Sequence, residues 1–216
     1  MIDNRILTQH VYDNIKTMIV EGEIAPGSKL NKQELAASLG VSQTPVNDAL
    51  SRLAGEKYLE QVNRRGFFVK RYTPSDLEEM FEVRAGLEGI AIRLCTERGS
   101  DEDLERLAGC FDGFELPVPE DQFESYLEAD KCFHTSIIEI AANSMIGEMA
   151  ASFGYMMKSY QPGLVRFPEE TLPEHQAMIR AIRSRDGVHA QELMIQHHTK
   201  TARKLARLAE AEASEA

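Results

Sequence analysis

The segment Gly40-Val41-Ser42-Gln43-Thr44-Pro45-Val46-Asn47-Asp48-Ala49-Leu50 limits what this 216-residue chain can fold into more than any other stretch. A glycine, a Ser/Thr cap and a proline in the following turn signal a helix start, because proline lacks an N–H that the first turn leaves unpaired anyway. Upstream, Asn31-Lys32-Gln33-Glu34 has the spacing of a capping box, with Asn31 as cap and Glu34 three residues on. Two short helices joined through a glycine turn predict a helix-turn-helix, whose second helix enters the DNA major groove. The same residues also suit an ordinary helical hairpin. The residues after Leu50 favour the helix-turn-helix. Residues 58–62 and 67–71 are β-prone runs around the turn Asn63-Arg64-Arg65-Gly66, which predicts a two-stranded wing with two arginines at its tip. Such a tip suits phosphate or minor-groove contact.

The net charge of −11 argues at first against a nucleic-acid partner. Its distribution reverses that argument. Residues 1–72 carry 10 Lys and Arg against 8 Asp and Glu, and the remainder carries 14 against 27, which together give the −11. The acid therefore lies in the second part, where it must be held away from phosphates. The charge break coincides with the end of the wing and sets a domain boundary near Tyr72-Thr73-Pro74, giving domains 1–72 and 73–216. No apolar run approaches the ~20 residues of a membrane-spanning helix, and Asp3 and Asn4 interrupt any signal-peptide pattern. Cys95, Cys110 and Cys132 are odd in number, with no metal or redox spacing. They are expected to be small core residues in a reducing cytoplasm.

Within the first domain, Leu7, Val11, Ile15, Met18 and Ile19 recur at helical spacing over 5–22, so a first helix should pack behind the reading pair. Asp48 and Glu56 sit on or near the reading helix and lower its charge. After Pro74, with Ser75 as a cap, the periodicity predicts helices near 75–97, 101–113, 118–142, 145–160, 169–185 and 187–209. Prolines and glycines punctuate them, and the tail from Glu210 to Ala216 is expected to fray. The expected fold is mainly α, a winged helix-turn-helix followed by an all-helical bundle.

Helix 118–142 has an apolar stripe through Phe123, Tyr126, Leu127, Phe133, Ile137, Ile138 and Ala141. Asp130 and His134 fall on that stripe one turn apart, so both face inward. A buried lone carboxylate is costly and needs a partner. His175 shares a row with Leu172, Met178, Ile179 and Ile182, and His197 with Leu193, Met194, Thr201, Leu205 and Leu208. Three histidines and an aspartate thus point inward from three helices. Taken singly, each can be a satisfied core residue; together they suit a divalent ion, Zn foremost, with Ni, Mn or Fe possible. His10, His189 and His198 lie off these rows and are assigned to the surface. Arg84, in the row Leu77, Met80, Phe81, Leu87, Ala91 and Leu94, brings a guanidinium partly inside the bundle. It wants either a bidentate anion or an internal partner such as Glu88 or Glu124. Asn143, ending its helix, either caps or contacts a ligand.

Pro26-Gly27-Ser28-Lys29-Leu30, Glu34-Leu35-Ala36, Gly40-Val41-Ser42, Thr44-Pro45-Val46, Ala49-Leu50-Ser51-Arg52-Leu53 and Arg64-Arg65-Gly66 resemble, in that order, the winged helix of GntR-family regulators over about residues 6 to 71. The second part is similar to the FCD domain of the FadR subgroup, through Phe81-Glu82-Val83-Arg84-Ala85-Gly86-Leu87-Glu88, Asp130-Lys131-Cys132-Phe133-His134, Ala142-Asn143, Glu174-His175 and His197. Six helices rather than seven resemble its VanR-like branch. The resemblance implies a divalent metal on Asp130, His134, His175 and His197, with Arg84, and Asn143 if it is not merely a cap, meeting a small organic acid such as a sugar acid. It also implies a homodimer on double-stranded operator DNA through Lys32, Gln33, Ser42, Gln43, Thr44, Pro45, Asn47, Arg52, Arg64, Arg65 and Gly66. The family usually has arginines at Gln43 and Asn47. Gln and Asn pair with adenine rather than guanine, so a different operator motif is expected. No general base or nucleophile stands beside the metal set, which argues against a metalloenzyme, with no catalytic residues assigned. A pure metal sensor has no use for the Arg84 clamp. The expected protein is a ligand-responsive transcription regulator, most simply a repressor.

Overall fold

The structure is a computed structural model that describes residues 4–159 and 165–215. The chain divides into two compact units, with the break between Tyr72 and Thr73.

The first unit contains α1 (Asn4–Val20), α2 (Lys32–Leu39), α3 (Gln43–Gly55), β1 (Leu59–Val62) and β2 (Gly66–Val69). Val11, Ile15 and Ile19 of α1 are buried with Val46, Ala49, Leu50 and Leu53 of α3 and with Leu59, Phe67 and Val69 of the hairpin. Asn31 caps α2 by accepting from Gln33 N at 3.0 Å. Glu34 answers through the Asn31 amide at 2.8 Å rather than through its backbone. Gly40 ends α2 in the left-handed region, with φ 65°, where any Cβ is strained. The strands pair antiparallel from Leu59↔Val69 to Val62↔Gly66, and a bridge from Lys29 to Phe68 adds the preceding segment to the wing.

The second unit contains α4 (Pro74–Arg98), α5 (Asp101–Ala108), α6 (Phe123–Ile140), α7 (Ser144–Ser159), α8 (Pro168–Arg183) and α9 (Gly187–Glu215), with single 3-10 turns at Gly109–Phe111 and Glu120–Gln122. Thr73, not Ser75, caps α4, in a reciprocal box with Asp76. The helix expected over 101–113 tightens into a 3-10 turn after Ala108, and α6 starts at Phe123 after a similar turn. The tail beyond Glu210 is part of α9. It stays helical to Glu215, as Ala and Glu, both strong helix formers, permit.

Helix α4 runs against α9 and α6, and α9 also packs on α8. A Cβ added at Gly89 of α4 would meet Ile195 Cγ1 at 2.8 Å, so α9 approaches as closely as a glycine allows. This close seam brings α9 side chains within hydrogen-bond reach of α4. The cysteines divide: Cys95 is buried, Cys110 half-buried and Cys132 exposed, which corrects its assignment to the core.

Candidate functional site

In the first unit, Gln33, Ser42, Gln43, Thr44 and Asn47 are exposed along the start of α2 and the leading turns of α3. Ser42 occupies the N-cap position of α3, yet its hydroxyl makes no capping bond. Lys32 Nζ donates to Asn47 Oδ1 at 2.6 Å and sits 5.0 Å from the Phe67 ring, so these two polar residues present one joined surface. Arg64 and Arg65 are exposed at the wing tip, Arg64 left-handed at φ 61° and Gly66 at φ 105°. One assignment changes. Pro45 is buried, so it shapes the first turn of α3 rather than offering surface. Arg52 remains exposed while lying 3.9 Å over the Tyr12 ring and bonding Gln9 at 2.7 Å and Glu56 at 3.0 Å, contacts that also hold α1 to α3. Glu56 also accepts from Tyr12, so this acid is internal support rather than a charge facing phosphate.

In the second unit, Asp130 and His134 on α6, His175 on α8 and His197 on α9 offer ligand atoms that all lie within 4.8 Å of one another. The three histidines are buried, while Asp130 is one-third exposed. Leu127 and Leu208, counted into the same rows from the periodicity, are exposed. Asp130 Oδ1 stands 3.3 Å from His175 Nε2 and 3.9 Å from His134 Nε2.

Each histidine is held by its other nitrogen. His134 Nδ1 donates to Glu88 Oε2 at 2.6 Å, and His197 Nδ1 donates to Glu174 Oε2 at 2.8 Å. His175 Nδ1 faces Tyr126 Oη at 3.2 Å. Thr171 gives its hydroxyl proton to the Phe167 carbonyl, so Tyr126 donates to Thr171 Oγ1 at 2.7 Å and accepts from His175. All three rings therefore keep Nδ1–H and leave Nε2 as a lone pair, the outer support that fixes the tautomer of a ligating histidine.

Both supporting carboxylates are themselves neutralised. Glu174 accepts from Arg166 at 2.7 and 2.8 Å and from Lys200 at 2.8 Å. Glu88 accepts Arg84 Nε on Oε1 at 2.7 Å and His198 Nε2 on Oε2 at 2.9 Å. Burial alone would raise the Glu88 carboxyl, but Arg84, His198 and His134 outweigh it and hold it well below the usual range. Burial likewise works against Glu174, and His197, Arg166 and Lys200 hold it low. Burial, reinforced by the neighbouring histidines, pushes His175 well below its ordinary value, so it stays neutral.

Glu88 answers the choice that the sequence left open at Arg84: the partner is internal, and it is not the exposed Glu124. The bond uses only Nε, and among the described residues the terminal nitrogens make no hydrogen bond. His198, assigned to the surface, is fully buried, which is a correction. Two adjacent positions of α9 are buried because that helix lies between α8, which His197 faces through Glu174, and α4, which His198 faces through Glu88. Asn143 accepts from Ile146 N at 3.3 Å and so caps the start of α7 rather than the end of α6.

Among the described residues no helix is long and apolar enough to cross a membrane. Residues 7–69 match the bacterial regulatory proteins of the gntR family, and residues 79–200 match the FCD domain. The HTH-type transcriptional repressor GlaR of Escherichia coli (strain K12) is 26% identical over 86% of this chain and 90% of its own. A probable D-xylose utilization operon transcriptional repressor of Paenarthrobacter nicotinovorans is 31% identical over 65% of this chain and 62% of its own. The solved structure of E. coli McbR/YncC superposes with a TM-score of 0.67 over 96% of this chain and 99% of that one, at 21% identity, a likeness of fold. The FCD match spans more than half of the chain and the GntR match precedes it, so the protein belongs to the GntR family of bacterial regulators with an FCD domain, a DNA-binding transcription regulator and not an enzyme.

Proposed function

We propose that the second unit is a metal-containing sensor of a small organic acid, and that acid binding there changes the affinity of the winged helix for operator DNA. One observation carries the reading. His175 Nε2 and Asp130 Oδ1, both lone-pair acceptors, face each other at 3.3 Å, and the buried Nε2 has no hydrogen-bond partner among the described residues. Two acceptors so placed repel, and a buried orphan costs about 1–3 kcal/mol. A divalent cation held by Asp130, His134, His175 and His197 converts that repulsion into ligation, and this N/O set suits Zn first, with Ni, Mn or Fe as alternatives. When bound in a five- or six-coordinate sphere, of which the protein fills four positions, such an ion would supply a further position for an anionic ligand oxygen.

Arg84 supports the acid half of the reading. Its side chain is 12% exposed, and the terminal nitrogens left over from Glu88 suit a carboxylate. A sensor of metal alone has no use for that clamp. The partner copy is supported by α4, where Val83, Leu87, Ile90 and Leu94 form one row, with Val83 52% and Ile90 46% exposed. An apolar row of this kind on a charged helix suits a second chain, and paired winged helices suit paired half-sites. Repression is the sign we assign, as in the relatives named repressors.

The test is elemental analysis of the purified protein, followed by operator binding with and without small hydroxy acids and dicarboxylates. About one divalent metal per chain and an acid-dependent change in DNA affinity are expected. A chain that takes up no metal and loses no stability with chelator returns the four residues to the core. A metal-loaded chain whose DNA affinity no acid alters removes the sensing half.

A further inference from the structure

We infer that His198 is a ligand-contacting residue, whose Nδ1 accepts a hydrogen bond from a hydroxyl of the effector and so selects hydroxy acids over their deoxy counterparts. The inference rests on the carboxylate reading above and adds the chemistry that the acid must carry.

His198 is fully buried, and its Nε2 lies 2.9 Å from Glu88 Oε2. Glu88 is ion-paired to Arg84 and therefore accepts only, so the proton sits on Nε2 and Nδ1 is a lone pair. That Nδ1 is buried and has no partner among the described residues. The other three rings of the cluster are turned the opposite way, each with Nδ1 occupied by protein. His198 alone among them leaves an acceptor on that edge, and a buried acceptor without a donor is costly.

Its position says what kind of donor fits. Arg84 and His198 share the Glu88 carboxylate and also share the Phe81 ring, at 5.1 Å from the guanidinium and 5.6 Å from the imidazole. On its other side His198 stands 5.2 Å from the ring of His134 and 5.1 Å from that of His197. It therefore occupies the seam between the arginine and the metal set. A cationic donor is opposed there by Arg84. A neutral hydroxyl on an anion satisfies Nδ1 while the carboxylate meets the arginine. A second metal on Glu88, His134 and His198, whose ligand atoms also lie within 4.8 Å of one another, is opposed by the same guanidinium and by the two N–H groups already directed at Glu88.

The test uses the full-length, metal-loaded protein in calorimetric titrations with lactate against propionate and 2-hydroxybutyrate against butyrate. Wild type should prefer each hydroxy acid by about tenfold, the worth of one buried hydrogen bond. His198→Gln keeps a donor to Glu88 but places no acceptor at the Nδ1 position, so the hydroxy acid should fall to the affinity of its deoxy partner, itself unchanged. His198→Asn, whose amide oxygen reaches the Nδ1 position, should restore part of the preference. One metal per chain in each variant shows an intact fold. A preference that survives in His198→Gln overturns the inference, as does acid binding by wild type with no hydroxyl preference, and both leave the carboxylate reading standing. Two metals per wild-type chain falling to one in His198→Gln also overturns it. Failure of wild type to bind any of the four acids overturns the inference and the carboxylate reading together.

Discussion

Glu88 Oε2 lies 2.6 Å from His134 Nδ1, so a carboxylate on α4 sets the tautomer and ring orientation of a histidine on α6. The other oxygen of the same carboxylate holds Arg84 at 2.7 Å. The candidate anion clamp and the candidate metal set therefore share one buried group, and whatever draws Arg84 away from Glu88 is felt at His134.

Replacing Glu88 by Gln preserves shape but removes the charge that Arg84, His134 and His198 use. Metal affinity is expected to fall by about 10–100-fold, the usual consequence of losing an outer support. Stability should fall by about 3–5 kcal/mol, since a mostly buried Arg84 is left without its counter-charge. Competition with a chelator and urea unfolding measure the two. Unchanged metal affinity shows that His134 is oriented by packing instead.

The histidines also set an acid sensitivity for the metal-free protein. Burial holds His175 and His198 well below their ordinary value in the fold, against about 6.5 in the unfolded chain. Below pH ~6.5 the unfolded chain therefore binds protons that the folded chain does not, and stability falls as pH drops, by about 1.4 kcal/mol per pH unit for each ring. Glu88 and Glu174 act in the same direction but in a lower window: held low, their contributions are present above about pH 4.5 and disappear only as pH falls through their depressed folded values. Urea midpoints in chelator should thus drop from pH 7.5 to 5.5, before either carboxylate is protonated. A flat midpoint over that range shows that both rings protonate freely within the fold.

Gly89→Ala tests the seam between α4 and α9. Alanine favours the helix by about 1 kcal/mol, but its Cβ would meet the stiff Ile195 Cγ1 at 2.8 Å. Forcing such a close approach costs about 1–3 kcal/mol. A net loss of about 1 kcal/mol is expected, with weaker metal binding as α9 shifts. Adding Ile195→Ala should relieve both effects, a coupling that a double-mutant cycle reads directly. Strict additivity of the two changes shows that the seam does not transmit the strain.

On the DNA side, Arg64→Ala with Arg65→Ala should weaken binding to every sequence and reduce the salt slope by about 2, one for each phosphate that no longer meets an arginine. Asn47→Ala should instead change base preference at one position and release Lys32, which now donates to Asn47 at 2.6 Å. Quantitative footprinting over a salt series separates the two patterns. A uniform loss in Asn47→Ala marks it as a positioning residue that acts through Lys32.

Local signals determine most of the first unit. Gly40, the Asn31 cap and the Arg64-Arg65-Gly66 turn each act over a few residues, and short-range backbone chemistry sets them. Helical periodicity likewise places Asp130, His134, His175 and His197 on inward faces, because a stripe needs no knowledge of its partner. Periodicity fails where a helix is covered from two sides. Helix α9 meets both α8 and α4, so its buried arc is wider than one stripe and takes in His198, which a single row excludes. The same limit applies to Arg52, whose partner Gln9 lies 43 residues away, and to Glu88, whose bond with His198 spans 110. Such pairings depend on which helices dock and how closely, and here a glycine at position 89 sets the approach. The inward residues were thus determined by sequence, while the carboxylates that hold His134 and His197, and the lone pair of His198, were decided by tertiary packing.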